Sequence, residues 1–171
     1  MEIIRFTKAD RSSFPYWFAH WCAFNMTALN MGVWKWKYLF HDIEKPWLKL
    51  FWSYKRVQMY HNEHSNHHLI HWIISDYADW EAMIIDWECG RFTKQQCPRD
   101  AVNEFKRIFK QMYDYLYKGI PSDNKSINYI ESHSFDKNYL KSKFEEAYIH
   151  LRYLFVYKYG IKDIPYTMET L

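Results

Sequence analysis

The sequence predicts an all-α fold of about six to seven helices, forming a single domain over residues 1–171. Three observations predict it. Gly and Pro are scarce, at 4 and 5 residues, which leaves few positions for the repeated tight turns of a β-sandwich. Apolar residues recur at three- and four-residue steps along most of the chain. The length also suffices to bury a core without disulfides or oligomerisation.

Each element follows from its own spacing. Ser12, Ser13 and Pro15 make a helix start, and Phe14, Trp17, Trp21, Phe24, Ala28 and Met31 then share a face until Gly32. A second helix is expected from Val33 to about Lys45, where Trp34, Tyr38 and His41 align and Pro46 forbids simple continuation. Trp47 to Tyr60 has the apolar content of a third, with Ser65-Asn66 a natural break after it. Ser75-Asp76 caps a helix running through Glu88, with Gly90 placed to end it. From Pro98, the positions Val102, Phe105, Phe109, Met112 and Leu116 trace an amphipathic helix that stops before Gly119. Residues 120–134 read as loop. Leu140, Phe144, Ala147, Leu151 and Leu154 predict a last long helix before Gly160, packed on its predecessor.

Composition excludes several function classes. The net charge is +3, from 23 basic and 20 acidic residues, and no like-charged block reads as a nucleic-acid arm. Lys106-Arg107 with Lys110 reads as the solvated border of an apolar face. Cys22, Cys89 and Cys97 are odd in number and lack CxxC spacing, so neither a disulfide framework nor a zinc ribbon is indicated. With no spanning run and no signal-peptide layout, the expected location is cytoplasmic, with no membrane and no nucleic-acid partner. The oligomeric state is not legible.

Histidine is the informative residue. Of nine, seven precede residue 72, and five of those fall between His61 and His71. Imidazole and carboxylate together form the ligand set of transition metals, so His and Asp spread over several helices point to a pocket. His20 lies one turn from both Trp17 and Phe24, at the core edge, where a hydrogen-bonded core histidine is the bland reading. His41 and Asp42 are adjacent. Neighbours on a helix diverge by about 100°, so both reach one ion only at a helix edge or where the helix is irregular. Lys45 follows one turn later and can point an ammonium at a phosphate. Asp86 sits in Met83-Ile84-Ile85-Asp86-Trp87, where an inward carboxylate needs a cation, a partner such as Arg91, or an outward position. Asp79 reads as a cap. The Ser65-Asn66 break lets His61 and His67 or His68 approach an ion from two directions, with His64 and His71 orienting ligands or meeting substrate.

In order, His20, His41-Asp42, His61, His67-His68 and Asp86 resemble the H…HD…H…H…D signature of the HD superfamily of metal-dependent phosphohydrolases. The segments HDIEK, HNEHSNHHLIHW and MIIDW are most similar to those of an HD-like family of bacteria and phages with the pattern HDxSK, HHxxNxHHxxYW and EMxxDW. Ser65 departs from its asparagine. The resemblance covers about residues 15–110, leaving a packing region of about 98–160. It implies one ion on His20, His41, Asp42 and Asp86, and a second on His61 with His67 or His68, bridged by Asp42. The nucleotidase branch carries HDxxE, whereas Lys45 stands at that place, as in HDxxK phosphodiesterase-type branches.

The implied cofactor is one or two divalent ions: Mn, Fe, Co, Ni, Zn or Mg. The implied reaction is hydrolysis of a phosphate ester in a nucleotide or another small phosphorylated molecule. In it, metal-bound water supplies hydroxide, Lys45 neutralises the phosphate, and His64, His67 or His68 protonates the leaving alkoxide. Two alternatives come from other classes: a di-iron HD-type oxygenase, and a non-catalytic protein that binds or sequesters a nucleotide. For the latter, Trp34, Trp36, Trp47 and Trp52 could stack on a base, although at helical spacing such residues are expected in the core.

Overall fold

A computed structural model describes residues 5–68, 71, 73, 75–95 and 100–170. Trp72, Cys97 and the helix start expected at Pro98 lie outside the described residues. Among the described residues the fold is 69% helical, with seven α-helices and no strand. The all-α class is therefore observed. The helices are α1 Phe14–Asn30, α2 Glu44–Leu48, α3 Tyr54–His64, α4 Tyr77–Thr93, α5 Ala101–Lys118, α6 Lys125–Ser132 and α7 Lys137–Tyr153. The chain divides into two compact units: Met1–Ser65 with Ile84–Ala101, and Asn66–Met83 with Val102–Leu171.

In the first unit, α1 starts where Ser13 accepts from the Tyr16 amide, with Pro15 in the first turn, and Gly32 beyond its end takes a left-handed φ of 66°. The expected second helix is instead two short pieces. A 3₁₀ turn covers Trp36–Phe40, and α2 follows after His41, Asp42 and Ile43. Pro46 does not stop α2 but sits in its first turn, where a missing N–H costs no intrahelical bond. The third helix begins later than Trp47, because Ser53 caps it by accepting from the Arg56 amide. It ends at His64, before the Ser65-Asn66 break. α1 holds the 3₁₀ segment through its indoles: Trp17 donates to the Asp42 carbonyl at 2.8 Å and Trp21 to the Leu39 carbonyl at 2.9 Å. Phe24, fully buried, packs edge-on to Tyr38 with ring centroids 5.5 Å apart.

α4 overruns its expected stop. Gly90 is buried within it, and the Gly90 carbonyl still accepts a helical bond from the Lys94 amide at 2.9 Å. Asp76 caps its other end, accepting from the Asp79 amide at 2.8 Å.

In the second unit, α5 and α7 pack through Phe105, Phe109, Phe144 and Tyr148, with Phe109 and Phe144 centroids 5.2 Å apart, as their shared spacing predicts. Residues 120–134, expected as loop, contain α6. Asn124 caps it by accepting from the Ser126 amide, and Ile127 and Ile130 are its buried anchors. Two apolar positions are too few for a periodic signal. After α7 the chain widens into a π turn over Leu154–Lys158 before Gly160, whose φ is 70°.

Candidate metal centre

All parts of the site lie in the first unit. α1 supplies His20, the segment between the 3₁₀ turn and α2 supplies His41 and Asp42, α3 supplies His61, and the second half of α4 supplies Asp86 and Cys89. His20, His41, Asp42 and His61 are 4%, 7%, 3% and 1% exposed, so the cluster is buried although it is polar. Asp86 keeps part of its carboxylate accessible, at 23%.

The backbone explains how two adjacent residues face one point. His41 leaves the 3₁₀ turn with φ −58° and ψ 124°, and Asp42 then adopts a left-handed φ of 59°. Aspartate is among the few non-glycine residues that tolerate that region. The kink places His41 Nε2 3.6 Å from Asp42 Oδ1, where a regular helix would have sent the two side chains apart. His41 is held flat against Phe24, with centroids 3.6 Å apart and planes 11° from parallel.

Around this pair, His20 Nε2 lies 3.0 Å from Asp86 Oδ1 and 3.7 Å from Asp42 Oδ2, and His41 Nε2 lies 4.0 Å from Asp86 Oδ1. His61 Nε2 lies 3.1 Å from Asp42 Oδ1, and Lys45 Nζ is 2.6 Å from Asp42 Oδ2. Donors bound at about 2.0–2.2 Å to one transition ion are themselves roughly 3–4 Å apart, the spacing found here. Within this unit, the donor atoms of His20, His41 and Asp42 all lie within 4.8 Å of one another. So do those of His20, Asp86 and Cys89, and those of Asp42, Glu44 and His61. A buried His/Asp cluster able to hold a metal ion is therefore present.

The electrostatics fit ligands. Burial lowers the His41 pKa to about 3 against the pull of Asp42 and Asp86, so near neutral pH the ring is uncharged and carries a lone pair. Burial alone would raise the Asp42 carboxyl, but the surrounding imidazoles and the Lys45 ammonium outweigh it and hold it well below the usual range. Asp86 follows the same pattern, with burial opposed by the His20 contact and by Lys94. Both acids are therefore carboxylates near neutral pH. Arg91, the alternative partner for Asp86, pairs with Glu88 instead.

Four further residues back the cluster. The Nδ1 atom of His20 faces Thr93 Oγ1 at 3.5 Å and Cys89 Sγ at 3.7 Å. The Nδ1 atom of His61 faces Glu44 Oε1 at 2.5 Å and the Ser65 hydroxyl at 3.0 Å. Cys89 and Thr93 follow Asp86 at three and seven residues, one helical face, and that spacing was the available signal. For Glu44 no spacing argument exists, since its reach depends on the Asp42 kink.

The other predicted residues are His64, His67, His68, His71 and Asp79. His64 is exposed, its ring stacked on Tyr60 and its Nδ1 2.8 Å from the Tyr60 carbonyl. His67 and His68 belong to the second unit and are half-buried, with ring centroids 4.6 Å apart. His71, also in that unit, is buried edge-on to Tyr129 at 5.5 Å. Asp79 serves in the α4 cap. Trp36 and Trp47 are not core residues: they are 68% and 67% exposed, and Trp34 is 37% exposed.

Comparison with known proteins finds no matching family model, no matching curated protein and no matching solved structure.

Proposed function

We propose that this chain is a metal-dependent phosphohydrolase or phosphodiesterase acting on a nucleotide or another small phosphorylated molecule. One observation carries the reading: His20, His41, Asp42 and Asp86, from three separate elements, converge at 3.0–4.0 Å with the Lys45 ammonium on the same carboxylate. Neutral imidazoles and ionised carboxylates are the donor set of a transition ion, and they sit where water is largely excluded. When bound, such an ion acidifies a water molecule toward neutrality and polarises a phosphoryl oxygen.

This chain's own residues supply the rest. His20, His41, Asp42 and Asp86 would hold the ion. Part of Asp86 remains accessible, so substrate has an approach on its side. Lys45, 19% exposed, can turn from Asp42 toward a phosphate once the carboxylate's charge is met by the ion. His61, whose Nε2 lies 3.1 Å from Asp42 Oδ1, extends the donor set and would suit a second ion.

The test is elemental analysis of wild type beside Asp42→Ala, followed by a screen of phosphomonoesters and phosphodiesters with Mn, Fe, Co, Ni, Zn and Mg. We expect one or two ions per chain, lost in the variant, and turnover of at least one ester class. Equal metal content in both proteins would remove Asp42 from the site. Bound metal with dioxygen consumption and no ester turnover would favour the di-iron oxygenase reading.

A further inference from the structure

We propose that Thr93 is a positioning residue for the metal centre: its hydroxyl oxygen accepts the Nδ1 proton of His20 and so leaves the Nε2 lone pair of that ring for the ion. The proposal rests on His20 being a ligand, as read above, and is independent of the ester chemistry.

The residue stands where α4 ends, and the N-terminal segment fixes that end. Phe6 donates its amide to the Thr93 carbonyl at 2.9 Å and accepts from the Gln95 amide at 2.9 Å. The Phe6 ring meets Tyr16 edge-on, with centroids 5.5 Å apart, and Tyr16 lies 5.9 Å from His20 with the two planes 16° from parallel. The segment that holds the end of α4 therefore also braces the ring beside His20. On its Nδ1 edge His20 meets α4, with Thr93 Oγ1 at 3.5 Å and Cys89 Sγ at 3.7 Å. Thr93 is 3% exposed and Cys89 fully buried, so water does not compete for that edge.

Counting protons identifies the donor. The Thr93 hydroxyl donates its one proton to the Cys89 carbonyl at 3.4 Å, and the Cys89 thiol donates to the Asp86 carbonyl at 3.4 Å, both back onto α4. Each then has only lone pairs to offer His20. The hydroxyl oxygen is the closer of the two and the better acceptor, since sulfur accepts weakly. A neutral imidazole has one N–H and one lone pair, so an Nδ1 proton given to Thr93 leaves Nε2 as the donor atom. Nε2 is the nitrogen on the cluster side, 3.0 Å from Asp86 Oδ1 and 3.7 Å from Asp42 Oδ2. One face of α4 thus supplies a ligand at Asp86 and sets a tautomer seven residues later. A hydroxyl does this without adding a third negative charge beside Asp42 and Asp86.

The test is calorimetric titration of chelator-stripped full-length protein with zinc, as wild type, Thr93→Val and Thr93→Ser. Thr93→Val keeps the shape and loses the acceptor, and should weaken zinc binding about tenfold or more, while Thr93→Ser keeps the acceptor and should stay within about threefold of wild type. Urea denaturation of the metal-free variants should rank them the other way, Val above Ser, because Ser vacates the space of a buried methyl group. A residue that acts by packing alone would impose that same order on zinc affinity. In zinc-loaded wild type, the proton–nitrogen correlation spectrum of the histidine rings should show His20 protonated at Nδ1 and bound through Nε2. Wild-type zinc affinity in Thr93→Val, an affinity order that follows stability, or His20 bound through Nδ1 would overturn the proposal and leave the metal centre standing. No zinc uptake by wild type would overturn both.

Discussion

The Nδ1 atom of His61 lies 2.5 Å from Glu44 Oε1, while the Nε2 atom of the same ring lies 3.1 Å from Asp42 Oδ1. A carboxylate that accepts the Nδ1 proton holds the ring in the tautomer whose Nε2 presents a lone pair, the usual way a ligating histidine is oriented. Burial would raise the Glu44 carboxyl, but its bond to His61 keeps it lowered and able to accept. Glu44→Ala is therefore expected to weaken metal binding about 10–100-fold, and Glu44→Gln less, because its amide oxygen can still accept. Calorimetric titration of chelator-stripped protein with Mn or Zn measures both; an unchanged affinity in Glu44→Ala would make that contact incidental.

Lys45 and Asp42 should separate by phenotype. Removing the Lys45 ammonium leaves the imidazole and carboxylate donors in place, so Lys45→Ala should keep its metal while ester hydrolysis falls about 10²–10³-fold, the usual loss for one charge-stabilising group. Asp42→Ala should lose both. Loss of metal in Lys45→Ala would assign the lysine to site assembly instead.

In the second unit, Phe144 is 1% exposed and lies against Phe109 and in a small apolar cavity lined also by Met112, Ala147 and Leu151. The neighbours belong to regular helices and cannot collapse fully into a vacated ring. Phe144→Ala should cost about 3–5 kcal/mol in chemical denaturation. A loss below about 1 kcal/mol would show that α5 and α7 repack freely.

Cys89 is fully buried behind His20, and burial followed by the nearby Asp86 carboxylate pushes its thiol well up. The thiolate is the reactive form, so folded protein at pH about 8 should leave Cys89 unmodified by iodoacetamide, and urea should expose it. Peptide mass mapping reads the outcome. Fast native labelling would mean that α4 opens around this residue.

Several features were legible in the residues because they depend on local spacing. The face of Val102, Phe105, Phe109, Met112 and Leu116 needs only 3.6-residue periodicity to be recognised, and α5 realises it. Ser13, Asp76 and the glycines at 32, 119 and 160 act where short-range capping and left-handed backbone require them. Elsewhere local rules competed. Pro46 reads as a stop but fits a first turn, Gly90 reads as a stop but is packed inside α4, and α6 carries too few apolar positions to announce itself.

The sequence by itself determined the all-α class and the enrichment of imidazole and carboxylate in the first half of the chain. It also marked His20, His41, Asp42 and Asp86 as the residues to watch. Only the tertiary structure decided that they meet, because the meeting depends on Asp42 turning left-handed and on Phe24 and two indoles clamping the segment beside α1. It alone placed Glu44 on His61 and turned Trp36 and Trp47 outward. Periodicity reports which residues share one element's face; distances between elements are set by packing, which no single segment encodes.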